Sequence, residues 1–276
     1  MSGFNKINSP RKHLWTPSSV RRFHDTLGAH SYFQETFFTN EVGGGVLKFI
    51  KSYKPIKGRI LDFGCGPGYL MNHLQSYPVQ VWGIDFSPLS IKSANLKFKN
   101  QSKWKGMVLA DNLQLPFDND TFDMILIIET LEHLIPSQYK RILSEIKRVL
   151  KPGSGILFIS TPYNEKLFKS FVYCPECSSI FHRYQHLQSF NVPSLIQMMT
   201  QAGFTTLDCN HTDFAQFQTT LKSQMLDTPV KYLASALLDI VSRIIDTSFG
   251  YIGFKTNFQI NRWLGKGGHL FWIGTK

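Results

Sequence analysis

Cysteine, acidic residues and long apolar runs are all scarce in this chain, and each shortage excludes something. Four cysteines in 276 residues offer no disulfide framework, and in a reducing compartment such bonds are disfavoured. No stretch reaches the roughly 18 apolar residues of a membrane span. Met1 to Trp15 is polar and basic, without the apolar segment of a secretion signal, so a cytoplasmic protein is expected. No internal repeat or low-complexity tract is visible, and 42% hydrophobic with 14% aromatic content excludes a disordered tail protein. Asp and Glu number 19 against 30 Lys and Arg, a formal charge of +11. The lysines cluster at Lys48, Lys51, Lys54 and Lys57, and again at Lys92, Lys97, Lys99, Lys103 and Lys105. Such runs attract nucleic acid, anionic lipid or phosphorylated substrates through their field, or serve as solvated helix faces.

What the chain does have is a glycine turn at Leu61-Asp62-Phe63-Gly64-Cys65-Gly66-Pro67-Gly68. Arg59 to Phe63 reads as a strand, and Tyr69-Leu70-Met71-Asn72-His73-Leu74 has the apolar spacing of a helix packed on a sheet. Alternate glycines permit a tight turn and let a ligand approach the main chain. The spacing is G-x-G-x-G and not the G-x-G-x-x-G of pyrophosphate-binding dehydrogenases. Asp62, two residues before the first glycine, would repel a pyrophosphate but accept hydrogen bonds from a cationic or hydroxyl-bearing group. A nucleoside without phosphates is therefore favoured, and a nicotinamide-dependent oxidoreductase disfavoured.

From here the chain resembles the class I S-adenosylmethionine-dependent methyltransferases. Val79 to Asp85 looks like their second strand, ending in an acid that would hold the ribose hydroxyls, roughly 20 residues beyond the first as a βαβ unit expects. Gly106 to Asp111 looks like the third strand. Asp111 matches the acid that contacts the adenine amino group, and Asn112 follows it. Phe122 to Glu129 is too continuously apolar for a one-sided strand, as a parallel strand covered on both faces would be. Thr130-Leu131-Glu132-His133 comes next, then a helical stretch over Ser137 to Leu150 stopped by Lys151-Pro152-Gly153, and a fifth strand over Gly155 to Thr161. The resemblance implies an α/β, Rossmann-like fold: a seven-stranded, mostly parallel sheet, helices on both faces, the last strand antiparallel. It places S-adenosyl-L-methionine against Asp62, Gly64, Cys65, Gly66, Gly68, Asp85, Phe86, Asp111, Asn112 and Glu129. Amino-directed DNA methyltransferases carry an acid or amide, two prolines and an aromatic after strand four. This chain has Glu129-Thr130-Leu131-Glu132 there, which argues against a nucleic-acid substrate.

A second stretch, Cys174-Pro175-Glu176-Cys177 followed by His182 and His186, supplies a Cys2His2 set for a structural Zn²⁺. Its second gap is too short for a DNA-reading finger. The competing reading leaves the thiols free and turns His182 or His186 towards a substrate. Cys65 and Cys209 read as small buried residues.

The domain layout expected is 1–57 as N-terminal cap helices, 58–209 with 265–276 as the methyltransferase core, 170–188 as a Cys/His loop within it, and 210–264 as a helical insertion. In that insertion Val230, Leu233, Leu237, Leu238, Val241 and Ile245 share one helix face. It packs on the core, forms a lid, or dips into a membrane surface. The activity expected is methyl transfer to an oxygen, nitrogen or carbon of a small-molecule, glycan or lipid-linked acceptor. Glu129, His133 and His186 are the available bases. The alternative is a non-catalytic S-adenosylmethionine-binding protein that uses the Cys/His loop for partner contact.

Overall fold

The computed structural model describes residues 11–30, 33, 37–108, 113–218 and 268–276. Within them, strands and helices alternate as βαβ units require. They are β1 (Arg11–Lys12), α1 (Pro17–Ala29), α2 (Phe38–Lys51), β2 (Gly58–Phe63), α3 (Tyr69–Leu74), β3 (Val79–Asp85), α4 (Pro88–Lys97) and β4 (Trp104–Val108). After these come β5 (Met124–Ile128), α5 (Tyr139–Val149), β6 (Ile156–Pro162), β7 (Phe171–Tyr173), β8 (Ser179–His182), α6 (Val192–Gln201), β9 (Thr205–Thr212) and β10 (His269–Thr275).

Seven strands form one sheet in the order β4-β3-β2-β5-β6-β10-β9. Strands β4, β3, β2, β5 and β6 pair in parallel, while β10 is antiparallel to both β6 and β9. This is the Rossmann-like arrangement expected. The period-2 alternation of side chains divides the strands between two cores. Ile60, Leu126, Phe158 and Phe271 face one side with Phe49 and Ile50 of α2, Leu70 of α3 and Ile91 of α4. Leu61, Ile125, Ile127, Ile159 and Trp272 face the other, with Ile142 and Ile146 of α5 and Leu195 of α6. All five residues of β5 are buried, as a strand with helices above and below must be.

Local chemistry sets the helix ends. Thr16 and Ser19 form a capping box at the start of α1, and Asn191 and Ser194 form another before α6. Ser87 accepts from Ser90 N to open α4. The strand expected from Gly106 begins earlier, at Trp104, which is already anchored: its Nε1 donates to Asn95 Oδ1 at 2.9 Å and its ring meets Phe98. Part of the lysine clustering is structural. Lys103 donates to the carbonyls of Gln75 and Tyr77 at 3.0 Å each, and Lys97 sits over the rings of Tyr69 and Phe98.

Outside the main sheet, β7 and β8 form an antiparallel hairpin, and β1 pairs in parallel with β8. In the stretch expected to be cap helices, α1 runs over the carboxyl ends of the main strands, whereas α2 buries Val46, Leu47, Phe49 and Ile50 against the sheet. Of 210–264, residues 210–218 are described and bring Phe214 and Phe217 into the core. The remainder, with the proposed insertion helix, lies outside the described residues. No helix among the described residues is long and apolar enough to cross a membrane.

Phe158, fully buried between the rings of Phe49 and Phe214, tests the packing. Phe158→Ala is expected to cost about 3–5 kcal/mol, read as a lower urea midpoint with an unchanged denaturant slope.

Candidate functional site

Strands β2, β3 and β5 end side by side, and a cavity of about 270 Å³ opens beyond their carboxyl ends. Open α/β sheets bind ligands there. One wall is the glycine turn with Asp62, Asp85 and Phe86; the other carries Glu129, Glu132, His133, Tyr184 and His186.

The first wall is held together by Asp85 at the tip of β3. Its Oδ2 accepts from Gly66 N at 3.0 Å and its Oδ1 from Ser87 N at 2.8 Å. These two bonds fix the carboxylate against the turn while its remaining lone pairs face the cavity. Burial raises the Asp85 pKa; the Ser87 and Gly66 amides and nearby His24 oppose that shift. Asp62, at the end of β2, is pushed up to about 7 by burial and by the charge of Asp85. Gly64 and Gly66 have φ of +79° and +50°, values that residues with a Cβ rarely adopt. A Cβ on Gly64 would come within 2.3 Å of the Thr130 side chain, and one on Gly66 would fill the gap before Phe37. The turn thus brings bare backbone to the cavity. Cys65 lines it too, its thiol pushed well up by burial beside Asp62 and Asp85. Gly68 stands behind, at the start of α3. Asp111 and Asn112 lie outside the described residues.

Helix α1 closes the cavity from above. Asp25 Oδ1 accepts from Ser87 Oγ at 2.5 Å, and His24 Nε2 lies 2.7 Å from Gln185 Oε1. Gln185 is fully buried with φ +63°, and its Nε2 donates to the His133 carbonyl at 2.9 Å, clamping α1 to the second wall.

The second wall begins with Glu129, turned out of β5 at φ +46°. Its Oε1 accepts from Ser160 Oγ at 2.8 Å and lies 3.2 Å from His269 Nδ1. Burial opposes a charge on His269, but the Glu129 carboxylate and Asp213 outweigh it and raise its pKa. Glu132 follows, 1% exposed, with the Thr161 hydroxyl and its own backbone amide beside its carboxylate but no well-formed hydrogen bond to either oxygen among the described residues. Burial and the charge of Glu129 push its pKa well up. Burial with the neighbouring His24 and His186 holds His133 well below the usual imidazole range, hence neutral. The His133 and His186 rings meet at 4.9 Å, and His186 Nδ1 lies 2.6 Å from Glu165 Oε2.

The Cys2His2 expectation is corrected here. Among the described residues, ligand atoms close enough to share an ion belong to Glu132, His133 and His186, or to Glu165, His182 and His186; no cysteine joins either group. Cys174 and Cys177 sit in the β7–β8 turn, Cys177 exposed, while His182 ends β8 on the far side. A strand advances about 3.3 Å per residue, so β8 carries the imidazoles out of the thiols' reach.

Several contributors escaped the sequence reading. Glu132 and Glu165 were not assigned a role, although Glu129-x-x-Glu132-His133 directly after a buried strand is a legible signal. His24 and Gln185 reach the cavity only through tertiary contacts.

Thiol chemistry checks the arrangement. Cys174 and Cys177 are accessible, and Cys65 and Cys209 are buried. Ellman's reagent should titrate two thiols in the native protein and four in urea, with no change on adding a chelator. Native thiols released only by chelation would restore the cysteine-bound zinc.

A methyltransferase-domain family model matches residues 34–208. Among curated proteins, an O-methyltransferase of Pyrenophora dematioidea is 28% identical over 173 residues, 59% of this chain and 60% of that enzyme. The match therefore spans less than two thirds of the relative's length. Among solved structures, a SAM-dependent methyltransferase from Archaeoglobus fulgidus superposes with a TM-score of 0.56 at 17% identity, over 90% of this chain and 100% of that one. The [4+2]-cyclase SpnF gives 0.56 at 17%, over 98% and 99%. These two share the fold alone. The family match over residues 34–208, together with a glycine turn and a buried acid at the tips of β2 and β3, carries the assignment: the chain belongs to the class I S-adenosylmethionine-dependent methyltransferases.

Proposed function

We propose that the chain transfers the methyl group of S-adenosyl-L-methionine to a nucleophile of a small-molecule, glycan or lipid-linked acceptor. The observation that carries this reading is the Asp85 carboxylate held by the Gly66 and Ser87 amides at the mouth of a cavity whose opposite wall is lined with carboxylates and imidazoles. Asp85 would take the two ribose hydroxyls, Asp62 the ammonium group, and the bare turn at Gly64 and Gly66 the atoms between them. Phe86 supplies an aromatic face at the same wall. The cofactor brings a methyl carbon already activated by a sulfonium, so positioning does much of the remaining work.

The acceptor would lie against Glu132, His133 and His186. Its nucleophilic atom gains the carbon as the C–S bond breaks, its own proton departs, and the thioether S-adenosylhomocysteine remains. Glu129, one of the three bases considered, is already held by Ser160 and His269, so assistance to proton loss falls to the side of the wall where His133 and His186 meet. The reading as a non-catalytic binder is not favoured, since the Cys/His module it relied on does not assemble.

Turnover of methyl-labelled donor across a panel of hydroxylated, amino and lipid-linked compounds, read as S-adenosylhomocysteine formed, tests the activity. Asp85→Ala should weaken S-adenosylhomocysteine binding roughly 10- to 100-fold, the effect of losing hydrogen bonds to a charged group. Unchanged affinity would contradict the assignment. An ammonium beside Asp62 favours its ionised form, so calorimetry should show affinity rising with pH towards about 7 and a proton released on binding below that value. The free protein should behave oppositely. Because the folded-state pKa of Asp62 is raised, its contribution to stability is complete below about 4 and is lost as pH climbs to about 7.

A further inference from the structure

Glu132 poses a problem that methyl transfer alone does not answer. It is 1% exposed, the Thr161 hydroxyl and its own backbone amide stand beside its carboxylate, neither oxygen makes a well-formed hydrogen bond among the described residues, and it lines the cavity. The carboxylate of Glu129 adds to the negative potential around it. Two imidazoles stand in front of it. His133 Nε2 is 3.9 Å from Glu132 Oε1, and the ligand atoms of Glu132, His133 and His186 all lie within 4.8 Å of one another. His133 Nδ1 is buried without a partner. A buried acid facing two imidazoles, with no Lys or Arg among the described residues paired to it, is a set of donors suited to a positive charge.

His186 is oriented as a ligand would be. Its Nδ1 lies 2.6 Å from Glu165 Oε2 and donates to that carboxylate, which makes Nε2 the nitrogen that could bind an ion. A carboxylate behind the far nitrogen is the usual support of a metal-bound imidazole. The adjoining group Glu165, His182 and His186 has similar spacing but the wrong protonation. His182 Nδ1 accepts from Tyr184 N at 3.3 Å and from His186 N at 3.2 Å, so the ring proton of neutral His182 sits on Nε2, which faces Glu165 Oε1 at 3.3 Å. That nitrogen has no lone pair to give. The outer group supports; the inner group binds.

We propose that Glu132, His133 and His186 hold one divalent first-row transition-metal ion at the acceptor end of the cavity, with Glu165 as the positioning residue behind His186. Two nitrogens and one oxygen suit Mn²⁺, Fe²⁺, Co²⁺ or Zn²⁺ and leave coordination positions open. This rests on the methyltransferase reading and deepens it, since the acceptor it selects is a hydroxyl compound. A hydroxyl brought to the open position has its pKa lowered by the cation, releases its proton to solvent, and presents an oxygen lone pair to the methyl carbon.

The full chain, stripped with a chelator and dialysed, would be titrated with Co²⁺ by absorption and with Zn²⁺ by calorimetry, while S-adenosylhomocysteine affinity is measured on the same samples. One ion per chain is expected, with d–d bands and no sulfur-to-cobalt charge transfer. Glu132→Gln and His133→Asn should each lower metal affinity at least 10-fold and Glu165→Gln about 10-fold, outer-shell changes being worth roughly 10- to 100-fold. The Cys174→Ser, Cys177→Ser double variant should bind normally. Retained S-adenosylhomocysteine binding shows that a variant is folded and keeps failure here separate from failure of the methyltransferase reading. A wild-type chain that binds no ion, a charge-transfer band, or binding that survives Glu132→Gln in a variant still holding S-adenosylhomocysteine would overturn the proposal.

Discussion

The carboxylate of Asp85 is the point on which the site turns. Two backbone amides, one from the glycine turn after β2 and one from the start of α4, converge on it at 3.0 and 2.8 Å. That convergence requires β2 and β3 to be parallel neighbours in register, and it requires Gly66 to adopt a positive φ. Both follow from the hydrophobic sheet beneath, because strands buried on both faces cannot slip by a residue without exchanging their two cores. The chain thus converts packing energy into the placement of one buried carboxylate, next to a second acid, Asp62, whose pKa burial and Asp85 push up to about 7.

The cavity has two chemically distinct sides, and the fold explains why. The side proposed for the cofactor is built from strand ends and tight turns of the parallel half of the sheet. The side proposed for the acceptor is assembled from β5's exit, the loop after β6 that carries Glu165, and the segment leaving the β7–β8 hairpin. Gln185 joins these to α1 through His24 and the His133 carbonyl. The acceptor wall therefore depends on segments far apart in the chain, which makes it the part able to vary while the cradle persists.

This division also governs what could be read in advance. The glycine turn, the acids Asp62 and Asp85 at strand ends and the two-sided burial of β5 were legible as local patterns of turn chemistry and strand period, while the mostly parallel sheet followed from the family resemblance. The acceptor wall was legible only in pieces. His133 and His186 were singled out as isolated side chains, but their convergence with Glu132, and the support of Glu165, arise from the path of the β7–β8 hairpin. The same hairpin undid the Cys2His2 set, because close spacing in sequence means little when a strand intervenes. Strand boundaries shifted where an aromatic anchor such as Trp104 began pairing earlier than the apolar pattern suggested.

A crystal structure of the chain with S-adenosylhomocysteine tests the account most directly. The ribose hydroxyls should lie within hydrogen-bonding distance of Asp85, with the sulfur directed at the wall of Glu132, His133 and His186. A nucleoside bound elsewhere, or an Asp85 side chain turned away from it, would contradict the account at its foundation.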